Sequence, residues 1–169
     1  QFKFVTEVTG PEFYQLRFTG NEFVALLVMP GENISLEIGK TPVAMNYTVQ
    51  GSPGSADIRM LDQQLLVTKT RLDSISNIYN SLSANDMDIR GAELQKTYTE
   101  AVEAQRKFNI KFVVENISSM SSIQALYQRI DENTYVLYQP RDLQYLKIVS
   151  DSLSVRYPVS PHVRALKEN

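Results

Sequence analysis

Over residues 1–51 apolar side chains recur at every second position. The sets are Phe2 and Phe4, then Tyr14, Leu16 and Phe18, then Ile34, Leu36 and Ile38, then Met45, Tyr47 and Val49. Successive side chains of an extended chain point to opposite faces, so each set lines one face of a strand. The run Phe23-Val24-Ala25-Leu26-Leu27-Val28-Met29 is apolar throughout, which predicts a strand covered on both faces and central in its sheet. Between the runs stand Gly10-Pro11, Gly20-Asn21, Pro30-Gly31 and the stretch Gly39 to Pro42. Proline fixes φ and glycine allows positive φ, so these are turns. The pattern predicts five short strands in an antiparallel meander.

After Gly51-Ser52-Pro53-Gly54 the spacing changes to three and four. Ile58, Leu61, Leu65, Thr68, Leu72, Ile75, Tyr79 and Leu82 make one stripe of an amphipathic helix over residues 55–82, about 40 Å long. Ser52 with Pro53 behind it, or Ser55 with Asp57, suits its start. Asn85 or Asp86 then caps a second helix over 86–117, with Asp88 favourable to the helix dipole. Its stripe is Leu94, Tyr98, Ala101 with Val102, Gln105, Phe108, Phe112 with Val113, and Ile117. Glu103 and Lys107 stand four apart on the solvated side. A link this short makes the two helices an antiparallel hairpin.

Shorter elements complete the chain. Ser118 or Ser119 opens a helix carrying Ile123, Leu126, Tyr127 and Ile130, and the β-prone segment 134–139 connects it onward. Pro140 with Asp142 starts a further helix with Leu143, Leu146, Ile148, Val149, Leu153 and Val155, and Ser160-Pro161 starts a last turn. Sheet first and helices after is α+β by segregation, with a sheet region at 1–51 and a helical region at 52–169.

Composition narrows the function. The 169 residues are 43% hydrophobic and 21% charged, enough for a real core and too apolar for disorder. A net charge of −2 offers no basic excess to displace counterions from a phosphate backbone, which argues against nucleic acid as a partner. No apolar run reaches the ~18 residues of a membrane span. With no cysteine there is no disulfide scaffold, thiolate metal site or thiol chemistry within this stretch. The strand pattern begins at Gln1-Phe2 and the chain closes a helical turn after Pro161, so the sequence reads as a piece of a longer polypeptide. Its lack of a targeting segment then carries no information on compartment.

The candidate chemistry is sparse. Asp86 and Asp88 could bind a divalent cation, but a helix start explains both. Asp131-Glu132 lies between two elements, where carboxylates are solvated. His162, the single histidine, has no second ligand near it in sequence and reads as a surface residue. Gly51-Ser52-Pro53-Gly54 precedes a helix that could hold an anion, yet lacks the Gly-Lys-Ser/Thr pattern and reads as a linker. Most of the nine tyrosines and seven phenylalanines fall on the strand faces or helix stripes and read as core. Asn33, Asn46 and Asn116 open glycosylation-type triplets inside predicted elements. None of these earns a catalytic, cofactor or metal assignment, so the chain by itself reads as a non-enzyme.

Four motifs in order bear a resemblance. Val28-Met29-Pro30-Gly31-Glu32-Asn33-Ile34-Ser35-Leu36-Glu37-Ile38 resembles the PGD-x-I-x-L strand pair in the N-terminal domain of Bacteroides-type cell-envelope thioredoxin-like thiol-disulfide oxidoreductases. Tyr47-Thr48-Val49-Gln50-Gly51-Ser52 is similar to that domain's passage into its first long helix. The stretch from Phe112-Val113-Val114-Glu115-Asn116 to Ser122-Ile123-Gln124-Ala125-Leu126 is similar to its helix junction, and Tyr157-Pro158-Val159-Ser160-Pro161-His162-Val163 to its closing segment. The resemblance spans roughly residues 20–169 and implies a cell-envelope or periplasmic protein. It further implies a thioredoxin-fold domain with Cys-x-x-Cys following in the same chain. This stretch would then be its accessory domain, for spacing, client binding or dimerisation. The alternative is a stand-alone binding module for an envelope protein or glycan.

Overall fold

The computed structural model describes residues 2–168, so Gln1 and Asn169, the outermost positions of the first strand and last helix read from the sequence, lie outside it. Two antiparallel hairpins precede five helices. Strand β1 (Glu12–Arg17) pairs with β2 (Phe23–Val28), from Glu12↔Val28 to Arg17↔Phe23. Strand β3 (Ser35–Ile38) pairs with β4 (Tyr47–Gln50), from Ser35↔Gln50 to Ile38↔Tyr47. Helices α1 (Pro53–Ser81), α2 (Ala84–Glu115), α3 (Ser121–Tyr127), α4 (Leu143–Arg156) and α5 (Pro161–Glu168) follow. The fold is α+β, as the segregated pattern predicts.

The single five-stranded meander does not form. The sheet divides into two hairpins because α1 occupies the free edge of β2. There Leu27 donates its N–H to Ser55 Oγ at 3.1 Å, and its carbonyl accepts from Ser52 Oγ at 3.0 Å and Ser55 Oγ at 2.9 Å. Side-chain hydroxyls thus satisfy the backbone groups that a third strand would have used. The alternation at Phe2 and Phe4 finds no partner strand, and these side chains are 91% and 79% exposed. Met45 lies in a 3₁₀ turn (Val43–Met45) rather than in a strand. Strand β2 is covered on both faces as expected, but by different partners and not as a central strand. Val24 and Leu26 pack with Val43 and Tyr47, while Leu27 joins Ile58, Leu61, Phe112, Leu153 and Leu166 in the helical core.

Ser52 caps α1, accepting from Ser55 N–H at 3.2 Å with Pro53 in the first turn. Gly54 lets the helix lie close on β2, since a Cβ there would sit 2.9 Å from Leu27 Cδ2. Of the predicted stripe, Ile58, Leu61, Leu65, Thr68, Leu72 and Ile75 are buried, whereas Tyr79 is half-buried and Leu82 lies past the helix end, which runs Pro53–Ser81 rather than 55–82. The cap of α2 is Ser83, not Asn85 or Asp86. Its Oγ accepts from Asp86 N–H at 3.1 Å and donates to Asp86 Oδ2 at 2.6 Å, so α2 begins and ends two residues before the predicted 86–117. The contacts Thr68 to Gln105 and Tyr79 to Gln95 run in opposite senses along the two helices, which are therefore antiparallel. Ile117 falls beyond α2 and is 36% exposed.

Helix α3 starts at Ser121 rather than Ser118 or Ser119, and Ile130 lies past its end. The connector at 134–139 folds back on Gln128 to Ile130 through the bridge Arg129↔Tyr135, burying Val136. Ile130 and Val136 complete a second core with Leu65, Leu72 and Ala101 of the hairpin. Beyond Leu72 and Tyr98 the hairpin stands alone. No residue of 73–97 belongs to a core cluster, and every hydrogen bond of those side chains stays within the hairpin. At 1.5 Å per residue this two-helix arm reaches roughly 15–20 Å past the body.

Candidate functional site

The sequence candidates resolve into architecture. Asp86 serves the α2 cap, and among the described residues no group of three or more His, Asp or Glu could hold a metal ion. Asp131 Oδ1 accepts from Asn133 N–H at 2.8 Å, a bond that lowers its carboxyl pKa and closes a local turn. At the Gly51–Gly54 turn the Ser52 hydroxyl donates to the Leu27 carbonyl and accepts from Ser55 N–H, so it serves as helix cap and strand tie. The amides of Asn46 and Asn116 donate to the carbonyls of Pro42 and Phe112, each at about 3 Å.

His162 departs from its surface reading. Glu12, 150 residues earlier, places Oε1 2.6 Å from His162 Nε2, and the Phe13 ring meets the imidazole edge-on at 5.2 Å. The side chain is 32% exposed and clasps β1 to the first turn of α5. Separation in sequence hid this contact.

Two side-chain networks gather the buried amides and the buried ion pair. In the first, Thr68 Oγ1 donates to Gln105 Oε1 at 2.5 Å, Gln105 Nε2 to Asn109 Oδ1 at 2.8 Å, and Asn109 Nδ2 to Gln128 Oε1 at 2.9 Å. Gln128 Nε2 then donates to Asp62 Oδ1 at 3.0 Å, where Gln124 Nε2 also donates at 2.9 Å. The chain of bonds leaves α1, crosses α2, passes the end of α3 and returns to α1. Burial pushes the Asp62 carboxyl up, and the two amide bonds oppose it.

In the second network Arg106 Nε donates to Asp142 Oδ2 at 2.8 Å, Nη2 to Asp142 Oδ1, and Nη1 to Glu103 Oε1 at 2.9 Å. The Arg106 and Asp142 side chains are 4% and 3% exposed. Asp142 Oδ2 also accepts from Gln139 N–H at 3.0 Å. The guanidinium holds the Asp142 carboxyl below the usual carboxylate range, and the carboxylate in turn raises the arginine pKa. The pair pins the start of α4 to the middle of α2. Both networks tie helices to one another and so fix their register, and Asp142 of the second also lines a cleft. A polar residue on an apolar stripe was the available signal: Gln105 stands on the α2 stripe, with Asn109 one turn on.

One solvent-facing place gathers groups that are not committed. A cleft of about 370 Å³ lies at the closed end of the β3–β4 hairpin beside α1. Arg59 reaches into it from α1, its Nε–H bonded to the Tyr47 carbonyl at 2.7 Å and its guanidinium carbon 5.5 Å from the Tyr47 ring centroid. Burial, reinforced by the Asp62 charge, pushes the Tyr47 hydroxyl up to about 12, so the ring stays neutral beneath the cation. A second cleft of about 350 Å³, lined by Leu126, Leu137, Leu143 and Leu146 with Tyr138, Gln139, Pro140 and Asp142, is mainly apolar. Among the described residues no helix is long and apolar enough to cross a membrane. Compared with protein-family models, with curated proteins and with solved structures, the chain finds no match in any of the three.

Proposed function

We propose that this chain is a non-catalytic accessory domain of an envelope thiol-disulfide oxidoreductase, one that spaces the redox domain, binds its client or dimerises. The projecting two-helix arm carries the reading: a body tied by two buried networks holds out a hairpin end whose residues 73–97 join no core cluster among the described residues. The order of the four sequence motifs supports the oxidoreductase context and, with it, the envelope or periplasmic location. Thiol exchange requires a thiolate, and with no cysteine here the thiolate would come from a thioredoxin-fold domain of the same polypeptide.

The coding sequence beyond Asn169 tests this directly: a thioredoxin-like segment with Cys-x-x-Cys is expected, and an unrelated domain there overturns the oxidoreductase context. In the parent, deleting residues 1–169 should leave turnover of a small disulfide nearly unchanged and lower kcat/KM on a protein client. The second reading, a stand-alone binding module, is favoured by the Arg59 cleft.

A further inference from the structure

We propose that residues 2–8 form an interaction strand that pairs, antiparallel and centred on Val5, with the same segment of a second copy of this chain. The segment belongs to no element of the fold, and Phe2, Phe4 and Val5 are all strongly exposed, Val5 at 83%. Among the described residues its backbone makes no hydrogen bond, and its one side-chain bond, between Thr6 Oγ1 and Tyr14 Oη at 3.5 Å, holds it beside β1. Unpaired backbone carrying alternate apolar side chains is a template for another strand. In an extended chain Thr6 shares its face with Phe2, Phe4 and Val8. These side chains therefore turn to the side of β1 where Tyr14, Leu16 and Phe18 pack with Val24 and Leu26.

Charge complementarity names the partner. Directly opposite residues of an antiparallel pair share a face, so the register must keep apolar with apolar and charge with charge. With Val5 on the two-fold axis, Phe2 lies opposite Val8 and Phe4 opposite Thr6 on one face, in both halves of the ribbon. On the other face Lys3 lies opposite Glu7, twice over, with the two Val5 side chains between the pairs. Among the described residues neither Lys3 nor Glu7 has an ion-pair or hydrogen-bond partner of its own. Opposite charges across a pair of strands stabilise it and like charges oppose it. A slip of one residue sets Phe2 or Phe4 against Glu7, a slip of two separates Lys3 from Glu7, and an in-register parallel pair sets each charge beside its own copy. The segment is thus complementary to itself in one orientation and one register, as a two-fold interface requires. The interface uses no residue of the projecting arm and nothing of the oxidoreductase context, so it and the accessory-domain reading fail separately.

The test is sedimentation velocity of the chain over a concentration series, in which a reversible dimer is expected. Lys3→Glu and Glu7→Lys each turn both facing pairs into like charges and should weaken association roughly tenfold. Mixed together, the two variants should associate with each other about as tightly as wild type, because opposite charges face again across the ribbon. The double variant Lys3→Glu with Glu7→Lys should recover the homodimer for the same reason. Thermal melts should match wild type throughout, since both residues are exposed and outside every core cluster. The chain has no cysteine, so Val5→Cys reports the register by itself. Oxidation should link two copies through it readily, whereas Lys3→Cys would meet its counterpart only about 14 Å along the ribbon and should not link. A chain that is monomeric at every concentration, a dimer indifferent to both charge reversals, or reversed variants that fail to associate with each other would each overturn the proposal. The second of these moves the interface to another surface, such as the arm.

Discussion

Removing the Asp142 carboxylate by Asp142→Ala should be among the most damaging single changes outside the apolar core. Arg106 and Asp142 side chains are 4% and 3% exposed, so the guanidinium stays charged and out of reach of water when its partner goes. Two of its donors, Nε and Nη2, lose their acceptors, and the Gln139 N–H loses its own at the same time. Glu103, 29% exposed, retains only Nη1. Breaking a buried pair by deleting one member costs about 3–5 kcal/mol, against a total stability of about 5–15 kcal/mol. With a urea m-value near ~2 kcal/mol/M, the unfolding midpoint should fall by roughly 2 M. The control is Asp151→Ala, which breaks an exposed pair with Lys147 (64% and 77% exposed) and should cost less than ~0.5 kcal/mol. The double variant Arg106→Met with Asp142→Leu should recover most of the loss, because it leaves no unpaired buried charge. The depressed Asp142 pKa sets the pH dependence. The contribution is complete above the unfolded carboxyl value of ~3.9 and disappears as pH falls through the lower folded value, so wild type and Asp142→Ala should converge in acid. Equal urea midpoints for Asp142→Ala and Asp151→Ala at neutral pH would refute the reasoning.

Asp62 carries the opposite sign: its raised pKa means that ionisation is a cost in the folded state, recovered as pH falls toward the unfolded value. Asp62→Asn keeps an oxygen to accept from Gln124 and Gln128, so stability at neutral pH should hold or rise and its pH dependence flatten; a clear loss measured by urea unfolding at pH 7 would contradict this. Leu72 is 3% exposed among Leu65, Ala101, Ile130 and Val136, so Leu72→Ala should cost about 2–5 kcal/mol, read from the same midpoint. A Leu72→Ala midpoint matching that of Lys69→Ala, a change off the buried stripe, would show the wrong face of α1 to be buried.

The sequence by itself determined the segregation of strands before helices, the strand-to-helix change after Gly51, and the buried stripe of α1 from Ile58 to Ile75. These follow from local periodicity and capping, which depend only on neighbours within a few residues. Tertiary structure decided the rest. Alternation at Phe2 and Phe4 marks a strand face but cannot supply an edge to pair with, and the β2 edge that a longer sheet needed is closed by Ser52 and Ser55. Ser83 and Asp86 differ little as helix caps in sequence, and the chosen boundary reflects which backbone N–H each side chain could reach. The Arg59 cleft, the Glu12–His162 clasp and the Arg106–Asp142 pair join residues 12, 150 and 36 positions apart. No period in a sequence encodes such meetings. They arise when apolar stripes, burying themselves, carry the polar groups between them into one place, where low dielectric makes every unpaired charge costly and every paired one specific.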